Sequence, residues 1–131
     1  MPELERDVVH YQALPGHTLR QLREEQMDYP KDLQKQFLMF VRRIHQLGVF
    51  FRSMHLGNVV LSPDERLGLI DIADLKVQRR PLNRWQVQRN LRHIMRYPED
   101  AEWLSAISFS DKLLEPYLKG QRKSGLWGYA R

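Results

Sequence analysis

The chain has 131 residues, enough for one domain that buries about two-thirds of the surface its unfolded form exposes. Apolar residues make up 42% and charged residues 28%, which excludes a disordered chain, a collagen and a coiled-coil rod. The absence of cysteine excludes a disulfide framework, a thiolate zinc site and a cysteine nucleophile. Lys and Arg number 21 against 16 Asp and Glu, a formal charge of +5. Such a balance points to an anionic partner: nucleic acid, a phosphorylated ligand or an acidic membrane surface.

Glu3, Glu5, Arg6 and Asp7 near the start do not read as a secretory signal. The longest apolar run, Phe37 to Val41, is far short of the ~20 residues of a membrane span. The expected location is the cytoplasm, with peripheral attachment at the inner membrane face as the variant that the positive charge allows.

In chain order, Asp7 to Leu14 reads as a short strand, since Val8, Val9 and Tyr11 favour extended backbone. Pro15 and Gly16 make a turn. Thr18 is placed to cap a short helix, with Gln21 three residues on completing a capping box. A long helix is expected from about Pro30 to Leu47, with Leu33, Phe37, Phe40, Val41 and Ile44 on one face and Gly48 as its stop. The apolar runs Asn58–Leu61 and Leu67–Ile70 flank the turn-rich Ser62–Arg66 and predict a β-hairpin. From Asn83 to Tyr97, Val87, Leu91, Ile94 and Met95 fall on one helical stripe. Pro98 interrupts, and a further helix carries Trp103, Leu104 and Ile107. Ser110 is expected to cap a last helix through Leu118, ended by Gly120. Residues 121–131 then form a basic, flexible tail, leaving residues 1–120 as the folded unit. Trp85 and Trp103 read as packing residues.

The charge is concentrated. Between Leu75 and Pro98 stand Lys76, Arg79, Arg80, Arg84, Arg89, Arg92 and Arg96 with no acidic residue among them, and +5 less these seven leaves −2 for the rest. An ordinary solvated helix face mixes signs, so this segment is a candidate site for phosphate or an anionic sugar.

The stretch from Gly48 to Leu61 follows a long helix and enters the hairpin, which leaves through Leu69, Ile70 and Asp71. This order resembles the C-terminal lobe of the protein-kinase-like fold, whose catalytic loop reads H-R-D-x-x-x-x-N and whose metal-binding Asp ends the next hairpin. Asn58 falls at the loop Asn, and Asp71, thirteen residues later, at the Asp of D-F-G. Val8 to Leu19 resembles the kinase hinge. Arg89-Asn90-Leu91-Arg92 and its basic surroundings resemble the bacterial kinases of the lipopolysaccharide core, which phosphorylate Kdo or heptose, and above all the toluene-tolerance proteins of that superfamily. The resemblance spans Val8 to Leu118. It implies an α+β, mainly α-helical lobe, with Asn58 and Asp71 holding magnesium against the phosphates of ATP. Each residue alone has a plainer reading: Asn58 as a turn former, Asp71 as a cap or an arginine partner.

Two departures weigh on that likeness. Ser53 stands where the family has its catalytic Asp, and Phe51 where the motif opens with His. A serine hydroxyl cannot replace a carboxylate that accepts a proton, a role worth ~10²–10⁴-fold in rate. His55 is a conceivable substitute base, with a structural role the plainer reading. Further, no glycine-rich phosphate loop and no strand Lys paired with a helix Glu precede the hinge, so the N-terminal lobe is missing from these residues. About ten residues join Asp71 to the next helix, with no A-P-E element, which argues against a regulated activation loop. Arg52 is expected to pair with a nearby acid or a backbone carbonyl.

Three functions follow. The first is a pseudokinase or truncated lipopolysaccharide-kinase-like lobe with residual metal and anion binding. The second is part of an active ATP-dependent lipopolysaccharide-core sugar kinase. The third, supported by the arginines alone, is a small nucleic-acid-binding protein. A phosphorylated sugar or lipid head group is the expected ligand. A lone lobe would also expose its hinge face, inviting self-association or the missing lobe.

Overall fold

The computed structural model describes residues 15–124, with side chains through Leu118. The strand expected before Pro15 lies outside the described residues. About half of the described residues are helical and the strands form small antiparallel sheets, so the architecture is mixed α+β. The elements are β1 (His17–Thr18), α1 (Leu19–Glu24), α2 (Leu33–Gln46), β2 (Val49–Phe50), a 3₁₀ turn (Leu56–Asn58), β3 (Val59–Leu61), β4 (Leu67–Leu69), β5 (Lys76–Val77), α3 (Arg84–Ile94), α4 (Pro98–Ser105) and α5 (Phe109–Ser124).

Local chemistry sets several boundaries. The Thr18 hydroxyl accepts the Gln21 N–H, and the Gln21 side chain accepts the Thr18 N–H, so the expected capping box opens α1. Asn83 and Gln86 form the same box at the start of α3. Pro98 occupies the first turn of α4, where a missing N–H costs nothing, with Glu99 and Asp100 beside the positive end of the helix dipole.

Three expected boundaries move. α2 begins at Leu33, not Pro30; the Pro30 carbonyl instead accepts the Leu33 N–H in a preceding turn. α5 begins at Phe109, so Ser110 lies inside it rather than capping it, and Ser108 turns the chain with φ +55°. Gly120 does not stop α5, which continues through Ser124, so residues 121–124 are helical; the rest of the expected tail, residues 125–131, lies outside the described residues. Pro116 sits within α5 and cannot donate to the Lys112 carbonyl. The Arg42 guanidinium from α2 donates to that carbonyl instead, satisfying the group the proline orphans.

α2 is the centre of the core. Leu33, Phe37, Val41 and Ile44 on its inner face are fully buried in one cluster with Val87 and Ile94 of α3, Leu104 of α4 and Phe109 and Leu113 of α5. The Phe37 and Phe109 rings stack 5.4 Å apart. Burial of each such side chain contributes roughly 1.5–3 kcal/mol.

The hairpin forms with the expected strands: Val59 faces Leu69, Val60 faces Gly68 and Leu61 faces Leu67. β1 pairs on the other side of β3, giving the order β1-β3-β4. A second two-stranded sheet was not expected. β2 pairs with β5, Val49 opposite Val77 and Phe50 opposite Lys76, which returns the chain after the hairpin to the end of α2. Gly48 makes this return possible. Its φ of +84° is in the region that favours glycine, and a Cβ there would lie 2.2 Å from the Gln78 carbonyl oxygen.

Candidate functional site

The segment between β2 and the 3₁₀ turn is anchored by alternation. Phe51 and Met54 are fully buried, while Arg52 is exposed and Ser53 half-buried. A buried polar tie fixes its start. The Asn90 amide of α3 donates to the Phe51 carbonyl at 2.9 Å, and its Oδ1 accepts from His45 Nε2 of α2 at 2.7 Å. Two helices thus hold one backbone carbonyl of this loop.

At its far end, the loop closes on itself. The His55 N–H donates to Asn58 Oδ1 and the Gly57 N–H to His55 Nδ1, both at 2.9 Å, which caps the 3₁₀ turn. With Nδ1 accepting, the ring proton of neutral His55 sits on Nε2, which makes that nitrogen a donor. Burial first, then the charges of Arg20 and His93, lower its pKa, against Asp100 and Asp71. His55 is therefore a neutral capping residue, and a poor substitute base. Asn58 is buried and Asp71 exposed. The Ile70 N–H donates to the Asn58 carbonyl at 3.0 Å, extending the ladder one step beyond β3 and β4, so Asp71 emerges beside Asn58 at the hairpin mouth. Asp71 has φ +56° and makes no hydrogen bond or ion pair among the described residues. A non-glycine residue held there costs about 1–2 kcal/mol, and such conformations cluster at functional positions. Among the described residues no three His, Cys, Asp or Glu side chains cluster as a metal site.

After Asp71 the chain turns, the Leu75 N–H meeting the Ile72 carbonyl, and brings Asp74 back to the loop. Ser53 Oγ donates to Asp74 Oδ1 at 2.9 Å. The two residues lie in a cleft of about 430 Å³ lined also by Arg52, Arg89, Arg92, His93 and Arg96. None of these four arginines forms an ion pair among the described residues, nor does Asp74. Four guanidiniums less one carboxylate give the cleft a formal +3 with His93 neutral. The His93 pKa is lowered by burial and then by Arg96, against Asp74 and a hydrogen bond to the Ser53 backbone.

The seven basic residues expected to act together are divided. Arg89, Arg92 and Arg96, one helical turn or so apart on and just beyond α3, share the cleft above. Arg79 and Arg80 open on a separate cleft with Gln78, Asn83 and Gln86. Lys76 is on β5 and Arg84 at the start of α3, and neither lines the Ser53 cleft. Arg52 has no acid or carbonyl partner among the described residues; it is an exposed wall of the cleft. Trp85 is not a packing residue: 57% exposed, it lies under the Arg89 guanidinium, 5.5 Å from ring centroid to carbon. Trp103 does pack, edge-on to Tyr29, with its N–H on the Tyr29 hydroxyl.

Sequence reasoning missed Asp74 and His93, although an acid three residues past the hairpin end and a histidine inside an arginine run were visible. It also missed Asp100, which is fully buried and accepts from Arg20 and Arg23 of α1 at 2.7 Å each. Arg20 in turn stacks on Tyr97, whose ring is 6.0 Å from that of His55. No protein-family model matches the chain, and no curated protein matches it at a significant level. No described helix is long and apolar enough to cross a membrane.

Proposed function

We propose that these residues are the C-terminal lobe of a lipopolysaccharide-core kinase-like fold, and that the arginine-walled cleft binds a phosphorylated sugar or lipid head group. The observation that carries this reading is the cleft itself: four guanidiniums, without ion-pair partners among the described residues, share its lining with Ser53 and Asp74. With serine at the loop-acid position, the loop offers no base of its own, so the lobe is a binding module with little or no phosphoryl transfer from that position.

Magnesium and ATP belong to the same reading. Asn58 offers an amide oxygen with a remaining lone pair, and Asp71 an exposed carboxylate without a partner among the described residues. Two oxygen donors suit an ion that keeps several waters and shares phosphate oxygens. When bound, the metal would neutralise charge on the nucleotide's phosphates.

One observation favours the second reading, an active sugar kinase: the loop serine is hydrogen-bonded to a carboxylate from elsewhere in the chain. Nucleic acid is not favoured, because the seven basic residues face more than one cleft instead of forming a single stripe.

Thermal unfolding with ATP, with and without magnesium, tests the reading. Magnesium-dependent stabilisation is expected in the natural chain and its loss in Asp71→Asn, with about 2.7 kcal/mol gained at a hundredfold excess over Kd. An ATP shift that is indifferent to both magnesium and Asp71 would refute the metal assignment.

A further inference from the structure

We propose that Asp74, held by Ser53, takes the ligand hydroxyl that a carboxylate at position 53 would otherwise take. The inference rests on the reading of the arginine cleft as an anion site and adds to it the group that recognises the rest of the ligand.

Asp74 sits among four guanidiniums, yet its only hydrogen bond among the described residues comes from Ser53 Oγ, to Oδ1. A carboxylate has about four acceptor positions, so the Oδ2 side is unclaimed among the described residues. Ordinarily a carboxylate in such company would be drawn into a bidentate arginine pair. Here the serine hydrogen bond and the turn at Ile72–Leu75 hold it out of one. Ser53 is itself fixed. Its neighbours Phe51 and Met54 are fully buried, the Phe51 carbonyl is held by Asn90, and the Ser53 backbone bonds to His93. The carboxylate is therefore delivered from the chain beyond the hairpin to within one hydrogen bond of the loop.

A cleft that pairs several cations with one open acceptor is matched by a ligand carrying an anion and a hydroxyl together. Inorganic phosphate satisfies only the cations. A polyol phosphate satisfies both, its phosphate on Arg89 and Arg92 and a hydroxyl donating to Asp74. Asp74 opposes the first and rewards the second, so its removal should move the two ligands in opposite directions.

Titration calorimetry of the full chain with inorganic phosphate and with glycerol 3-phosphate tests this. In the natural chain glycerol 3-phosphate is expected to bind about tenfold more tightly than phosphate. Asp74→Asn should tighten phosphate several-fold and weaken glycerol 3-phosphate, erasing the preference. Ser53→Ala, which frees Asp74 to swing toward an arginine, should reduce the preference without erasing it. If Asp74→Asn strengthens both ligands equally, the carboxylate is only a repelling charge and the proposal falls. No preference in the natural chain, with phosphate still bound and Arg92→Ala weakening it, also overturns the proposal but leaves the anion site standing. If neither ligand binds, or binding ignores Arg89→Ala and Arg92→Ala, the anion site itself fails and the proposal with it. Unchanged far-ultraviolet circular dichroism, with thermal midpoints close to that of the natural chain, identifies variants that fold.

Discussion

His45 gives the chain a defined sensitivity to acid. Its ring lies in the core, 3% exposed, with Nε2–H donating to Asn90 Oδ1 and Nδ1 buried without a hydrogen-bond partner among the described residues. Protonation would place a second N–H, and a charge, where nothing accepts either. Burial therefore lowers its pKa from 6.5 to about 4, with the Asn90 hydrogen bond opposing in part. The unfolded chain takes up a proton at residue 45 as pH falls through 6.5, while the folded chain refuses it until about pH 4. In that window the unfolded state binds more protons, so stability falls as pH falls, and at 1.36 kcal/mol per pH unit the loss approaches about 3 kcal/mol.

Urea unfolding at intervals from pH 7.5 to pH 4, for the natural chain and for His45→Gln, reads this directly. The glutamine keeps a donor for Asn90 but cannot titrate. His55 and His93, whose pKa values are also lowered, are present in both proteins and cancel in the difference. The natural chain should lose about 3 kcal/mol more than the variant across the range, with most of the divergence below pH 6.5. Parallel stability curves would mean that His45 accepts its proton in the folded state as readily as in water, and the account of its environment would be wrong.

Two further outcomes follow from single contacts. Asp100→Ala leaves Arg20 and Arg23 without the carboxylate they share, and because both guanidiniums keep some exposure the cost should sit near the low end for a broken buried pair, about 3 kcal/mol. That is a fall of about 10 °C in thermal midpoint; a fall of a degree or two would show that the pair is dispensable. Gly48→Ala forces a side chain into a positive-φ position and onto the Gln78 carbonyl, so at least ~2 kcal/mol should be lost, with hydrogen exchange rising at Val49 and Val77, where β2 and β5 meet. Unaltered exchange there would refute the role given to Gly48.

What the sequence disclosed follows the range of the interactions. The inner face of α2 and the stripe of α3 were legible because a 3.6-residue period marks them, and the Thr18–Gln21 box because both partners lie within one turn. The hairpin was legible from its turn residues. β2 and β5 were not, since two-residue strands carry no period and their pairing depends on a glycine bend and a return of the chain after the hairpin. The helix start at Leu33 and the continuation of α5 past Gly120 depart from the local signals. Arg42 reaching the carbonyl that Pro116 leaves open is a tertiary contact that no local signal announces. In the site, the backbone pairing of Asn58 with Ile70, the neighbour of Asp71, was readable from the hairpin spacing. The partnership of Ser53 with Asp74 was not, because Asp74 reads in sequence as one more turn residue. The split of the basic run was invisible for the same reason: charge counts say nothing of which face a residue takes.

The distribution of acids explains why the cleft remains positive. Asp100, the fully buried carboxylate, is committed to Arg20 and Arg23 on α1, while Arg52, Arg89, Arg92 and Arg96 have no ion pair among the described residues. Cations gathered without counter-charges repel one another and lower the stability of the fold that gathers them. The fold tolerates them because α3 is fastened from beneath by Val87, Leu91 and Ile94 in the core and by Asn90 in the tie between His45 and Phe51. Asn90, on the same helix as Arg89 and Arg92, also holds the carbonyl of Phe51, two residues before Ser53. Core packing and the geometry of the cleft are therefore one mechanical unit, and an anion that relieves the repulsion should stabilise the whole lobe rather than the loop alone.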